Sequence, residues 1–224
     1  MKAFVIFRDR VSYAKQCVEA LQMAGLEVHI IDQDSTYPPA VEWLEQAPAQ
    51  VHKLVNQHPQ RLWQWTGLSY LVGMNQHYVV TDCDVVPGNP GLDWVGDFQY
   101  ILDRYPDRCK VGWSLRLSDI PKTYKHRQKV IDWENQHWQH PLDEMTPGRT
   151  VLFGAAVDTT LAMYQPLNMY PSFLLGPALR AGYPYYAKHL SWYEDSTIMS
   201  AEQAYYETMM NRDFSHWIAP ERYA

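Results

Sequence analysis

YVVTDCDVVP, residues 78–87, is a short β-branched run that stops at two aspartates one residue apart and then at proline. A Val-rich run ending in Asp, Pro and Gly reads as a buried parallel strand emptying into a loop at its carboxyl end. Open α/β sheets bind their ligands at that edge. Alternate side chains of an extended backbone share a face, so Asp82 and Asp84 are expected to point the same way, with Cys83 turned into the protein. Two carboxylates converging there make a hard-oxygen site suited to Mg²⁺ or Mn²⁺, ions that complete their shells with water and substrate phosphates. The spacing points to a metal-bridged phosphate or pyrophosphate site. The competing reading of the same triplet is a strand end with two solvated acids.

Upstream, Ala3 to Phe7 reads as an apolar strand. Ser12 to Ala24 follows with Ala14, Cys17, Val18 and Leu21 at helical spacing and Gly25 as its stop, and Glu27 to Ile31 reads as a second strand. This is the size of a right-handed βαβ unit with a parallel pair. Arg8 to Arg10 and Asp32 to Ser35 then fall on the same edge as Asp82 and Asp84. Arg8 becomes a candidate for a phosphate or base, Asp32 for a base or ribose hydroxyl, and Ser35 for the same nucleotide; the alternative for each is a solvated loop residue.

Between these and the aspartates lie a short strand at Val51 to Val55 and a helix over Leu62 to Leu71 carrying Trp63, Trp65, Leu68 and Leu71. Downstream, helices are expected over Leu92 to Tyr105 and Tyr124 to Trp138, with strands over Lys110 to Leu117 and Thr150 to Val157. The second of these strands ends at Asp158, followed by Thr159 and Thr160, and so sets a further carboxylate at a strand end. His126, His137 and His140 fit no metal spacing and read as solvated. YYAKHLSWYEDS places His189, Glu194 and Asp195 after a short Tyr-rich apolar segment, and Ser200 with Gln203 forms a capping box for a helix to about Asn211.

At 224 residues the chain is the size of one domain, enough to bury about 70 to 75% of its unfolded surface. A net charge of −6, with no Lys/Arg stripe, argues against polymeric nucleic acid as a partner. Three cysteines, odd in number and without metal spacing, suit a reducing compartment. The N-terminal apolar run is too short for a signal peptide, and the uncharged stretch from Thr159 to Leu179 is broken by Pro166, Pro171 and Pro177, so no transmembrane segment is expected and the default location is cytoplasmic. The nine Trp and sixteen Tyr suit a core or an interface first and a stacking site for sugar or base second.

Taken together, TDCDVVP at 81–87, AAVDTTLAMY at 155–164, HLSWYEDS at 189–196 and IIDQDST at 30–36 resemble the GT-A fold glycosyltransferases, in particular family-2-like bacterial and phage enzymes with an Asp-x-Asp. The resemblance implies an α/β fold: a single GT-A-like, Rossmann-like domain over 1–224 with a mainly parallel central sheet flanked by helices. About 1–87 would be the nucleotide-binding half and about 88–224 the acceptor half. It implies a metal-dependent transfer from a nucleotide-sugar donor to a glycan or other hydroxyl acceptor, with Mn²⁺ or Mg²⁺ on the donor pyrophosphate. Asp84 and His189 become metal ligands by the same likeness, and Asp82 touches the ribose or the ion. An inverting base has two candidates, Asp158 and the pair Glu194 and Asp195. The loop after the second strand lacks the Asn common in family-2 enzymes, which leaves the donor base open. Two other readings fit the aspartates: a phosphohydrolase like the haloacid-dehalogenase group, and a non-catalytic nucleotide-sugar or glycan binding protein.

Overall fold

The runs KAFVIF, EVHIID and YVVTD are buried along nearly their whole length, on both faces, and they satisfy their backbones by pairing with one another in parallel. The computed structural model describes residues 1–55, 62, 66–73, 75–89, 91–145, 150–158, 160–166 and 176–209. It is a mixed α/β domain with a mostly parallel central sheet flanked by helices. Strands β1 (Lys2–Phe7), β2 (Glu27–Asp32), β3 (Gln50–Lys53) and β4 (Tyr78–Asp82) form a parallel half in the order β3-β2-β1-β4. Helix α1 (Val11–Met23) crosses from β1 to β2, and α2 (Pro38–Glu45) follows β2. Helix α3 (Thr66–Val72) precedes β4; Trp63 and Trp65, expected on it, lie outside the described residues.

After β4 a two-residue turn leads into β5 (Val85–Pro87), and α4 (Trp94–Arg104) leads to β6 (Lys110–Leu115). Helix α5 (Arg127–Asn135) ends in a 3-10 turn at Gln136–Trp138. Strands β7 (Pro141–Met145), β8 (Val151–Phe153), β9 (Ala162–Tyr164) and β10 (Ala178–His189) complete the sheet, and α6 (Ala201–Met209) closes the described chain. The second half of the sheet runs β4-β9-β6-β10-β8-β7, with β5 paired to β10. Strand β9 is antiparallel to both β4 and β6, and β6 is parallel to β10. Strands β1, β2, β4, β6 and β10 therefore all point their carboxyl ends at one edge.

Val79 is fully buried on β4 between β1 and β9, as the apolar run predicts. One face of the sheet packs Ala14, Cys17, Val18 and Leu21 of α1 and Trp94, Phe98, Ile101 and Leu102 of α4; the other packs Leu68 and Val72 of α3 with Val157. Trp94, Phe98, Trp113 and Tyr185 meet edge-on or tilted, with ring centroids 5.3 to 5.9 Å apart, so much of the aromatic surplus is core. No helix among the described residues is long and apolar enough to cross a membrane.

Two expectations need correction. The strand expected over Thr150 to Val157 is only Val151–Phe153, and residues 154–158 are irregular, so Asp158 does not end a strand. β4 stops at Asp82, so Asp84 lies in the turn before β5, and side-chain alternation along a strand does not govern its direction.

Candidate active site

The carboxyl edge of the sheet gathers Arg8 and Arg10 after β1, Asp32 at the end of β2, Asp82 at the end of β4 with Asp84 just beyond it, and His189 at the end of β10. Register explains the meeting of the last two. β5 folds back antiparallel on β10 with Val85 opposite His189, and the Leu190 N–H donates to the Asp84 carbonyl at 2.6 Å. The Asp84 side chain is 4% exposed and its Oδ2 stands 3.5 Å from His189 Nδ1 and 2.5 Å from Arg10 Nη1. Burial works to raise the Asp84 carboxyl, but His189 and Arg10 outweigh it and hold the group below its ordinary value. Burial pushes the His189 imidazole down although the Asp84 charge pulls it the other way. The ring stacks on Trp192 with centroids 4.5 Å apart and planes within 2°, and Ser191 Oγ lies 2.8 Å from Nδ1. A dispersion contact and a hydroxyl thus fix the imidazole beside the carboxylate.

Arg10 is the residue that sequence reasoning passed over in favour of Arg8. Its guanidinium lies between the Asp84 carboxylate and the Tyr206 ring of α6, 3.7 Å from that ring's centroid. Arg8 instead donates from Nη2 to the Met209 carbonyl at 3.3 Å and faces Asp9 at 3.6 Å. Asp9, in the left-handed region at φ 58°, is buried and accepts from the Thr36 and Tyr37 N–H groups at 2.6 and 2.7 Å. Asp32 Oδ1 accepts from the Ser35 N–H at 3.1 Å, and Ser35 Oγ accepts from the Asp9 N–H at 3.0 Å. Asp32 and Ser35 are therefore wired into the loop that shapes this edge. Asp82 is half-buried at the end of β4.

Helix α6 lies over the same edge. Ser200 Oγ accepts from the Gln203 N–H at 3.1 Å, the predicted cap; residues 210 and 211, where the helix was expected to end, lie outside the described residues. Glu202 accepts from the Ser12 N–H and hydroxyl and so caps α1 from a distance, and Tyr205 donates to Thr36 Oγ1 at 3.1 Å.

The three base candidates differ in how they are engaged. Asp195 Oδ1 accepts from the N–H and hydroxyl of Thr197 at 2.8 and 2.6 Å, a local turn that also holds its carboxyl low. Glu194 accepts from Tyr13 Oη and from Ser200 Oγ. Asp158 is exposed and uses Oδ1 to accept from the Thr160 N–H at 3.0 Å; Thr159 is outside the described residues. Desolvation works to raise the Asp158 carboxyl, but Arg180, the Thr160 N–H and Lys110 hold it below its ordinary value. Its charge also reaches His189 and works to raise that imidazole.

Among the described residues no group of three or more His, Cys, Asp or Glu side chains is arranged to hold a metal ion. The donors at this edge still suit a hard cation of the kind that binds one or two protein groups and takes its remaining oxygens from water and phosphate. Asp84 offers a buried carboxylate and His189 an imidazole nitrogen 3.5 Å away.

No family model matches the chain, and no curated protein matches it. Among solved structures it is similar to the mannosyltransferase PcManGT from Pyrobaculum calidifontis in complex with GDP-Man and Mn²⁺, at 14% identity and a TM-score of 0.47, covering 84% of this chain and 56% of that one. It is also similar to S. aureus TarS 1–349, at 12% identity and a TM-score of 0.48, covering 85% of this chain and 61% of that one. The chain thus spans less than two thirds of either protein.

Proposed function

We propose that the chain is a glycosyltransferase that moves a sugar from a nucleoside-diphosphate donor to the hydroxyl of a glycan or other acceptor. The observation that carries this reading is the convergence of Asp84 and His189, distant in sequence, at the carboxyl edge of the sheet, where α/β folds bind nucleotides. Asp84 and His189 hold Mn²⁺ or Mg²⁺, and Asp82 contacts the ribose or the same ion. A divalent cation there neutralises charge on the departing diphosphate. The loop from Asp32 to Ser35 walls the nucleoside side, with Arg8 beside it.

Asp158 is the carboxylate best suited to take the acceptor proton. Its surface is open to an incoming hydroxyl, and its charge reaches the His189 imidazole. Glu194 is engaged by Tyr13 and Ser200, and Asp195 by both the N–H and the hydroxyl of Thr197, whereas Asp158 accepts from one backbone N–H. A panel of UDP-sugars and GDP-sugars, assayed for release of the nucleoside diphosphate with a range of hydroxyl acceptors and Mn²⁺, tests the proposal. One donor is expected to turn over, and Asp158→Asn to slow it by about 10² to 10⁴-fold. Turnover of no donor with any acceptor argues against transferase activity, and an unchanged rate in Asp158→Asn removes that residue as the base.

A further inference from the structure

Arg10 Nη1 and His189 Nδ1 approach the same Asp84 oxygen, at 2.5 and 3.5 Å. A divalent ion bound through that oxygen would stand against a full positive charge a hydrogen bond away, which neither cation tolerates. Arg10 is also held by little else. Its side chain is 12% exposed, and among the described residues its Nε is buried without a hydrogen-bond partner and its other side-chain contacts are the rings of Tyr206 and, farther off, Tyr13. Of five guanidinium donors, one engages a carboxylate among the described residues. Such a group can leave if another anion receives it.

Resting on the metal-bridged reading of the site, we infer that Arg10 is an exchangeable counter-ion of Asp84. It occupies the carboxylate while the site is empty and yields it only when a divalent cation arrives together with a diphosphate. The diphosphate oxygens match the planar donor fork of the released guanidinium. An ion arriving alone takes up the Asp84 charge and leaves Arg10 buried beside a neutralised carboxylate. The protein therefore takes up metal and donor as a pair and discriminates against free metal, and Tyr206 of α6 tunes the exchange by holding the guanidinium face.

The test is a Mn²⁺ titration read by loss of the free-ion paramagnetic resonance signal, on the unmodified protein, Arg10→Gln and Tyr206→Leu, each with and without GDP or UDP. Circular dichroism checks that each variant is folded. Arg10→Gln is expected to bind Mn²⁺ alone at least about tenfold more tightly than the unmodified protein, and to gain less from added nucleotide. Tyr206→Leu moves the same way by a smaller factor and decides the matter if Arg10→Gln does not fold. Folded variants with unchanged or weaker Mn²⁺ affinity overturn the inference, as does absence of Mn²⁺ binding throughout. If Mn²⁺ binding tightens in the variants while neither nucleotide binds any of the proteins, Arg10 is confirmed as the competing cation and the transferase reading fails instead.

Discussion

Asp84 and Arg10 form a nearly dry pair whose members depend on each other. Asp84→Asn keeps the shape and one acceptor oxygen but leaves a buried guanidinium without its anion, and is expected to cost on the order of 3 kcal/mol of stability, read from the urea midpoint at constant slope. A loss under about 1 kcal/mol would mean that water already shares the pair. The two aspartates could be singled out in the sequence because a strand end followed by Asp-x-Asp has a chemical meaning of its own, and His189 only through the family resemblance of HLSWYEDS. Arg10 was not. It lies three residues past the end of β1, where no periodicity applies, and its partners come from a turn after β4 and from α6.

At the scale of elements, β1, α1, β2 and β4 could be read directly because each has one clear period, and the expected boundaries fall close to the observed ones. β10 could not be read as a strand: ALRAGYPYYAKH carries Gly182 and Pro184 in its middle, and proline argues against an internal strand. The chain accommodates them with an irregularity between Ala181 and Tyr186, where pairing to β6 shifts register. β9 is three residues long, too short for any pattern, yet it joins the two halves of the sheet. On β6, Gly112 lies so close to Val157 that an added Cβ would meet its methyl carbons at 2.5 and 3.0 Å. Gly112→Ala is expected to destabilise by about 1 to 3 kcal/mol, and adding Val157→Ala should recover part of that loss in a double-mutant cycle, because the clash is with a side chain. Additive losses would show that the strain lies in the backbone. Glu202→Ala, which removes the remote cap of α1, is expected to cost about 1 kcal/mol, measured by thermal or urea unfolding.

Over the whole molecule, burial pushes His29, His52, His126, His137 and His189 below the ordinary imidazole value. As pH falls below about 6.5 the unfolded chain takes up protons first, while the folded imidazoles resist down to their lower values, about 4 for His137. Stability therefore declines across that window, and Asp84 and Asp158, held low in the fold, extend the decline further down. Asp32 and Glu134, raised by burial, oppose it but are fewer. The melting temperature is expected to be lower at pH 5 than at pH 7.5, and an equal or higher value at pH 5 would contradict this balance. The same accounting of charge bears on the proposed donor: in a protein of net charge −6, the proposal has a cation offset the acidic strand ends for a diphosphate to settle there. Calorimetry with UDP and GDP, in Mn²⁺ or in a chelator, measures this most directly. The account predicts that one of the two binds in Mn²⁺, that binding weakens at least about tenfold in the chelator, and that Asp84→Asn abolishes the difference; equal affinity in both conditions for the unmodified protein would contradict it.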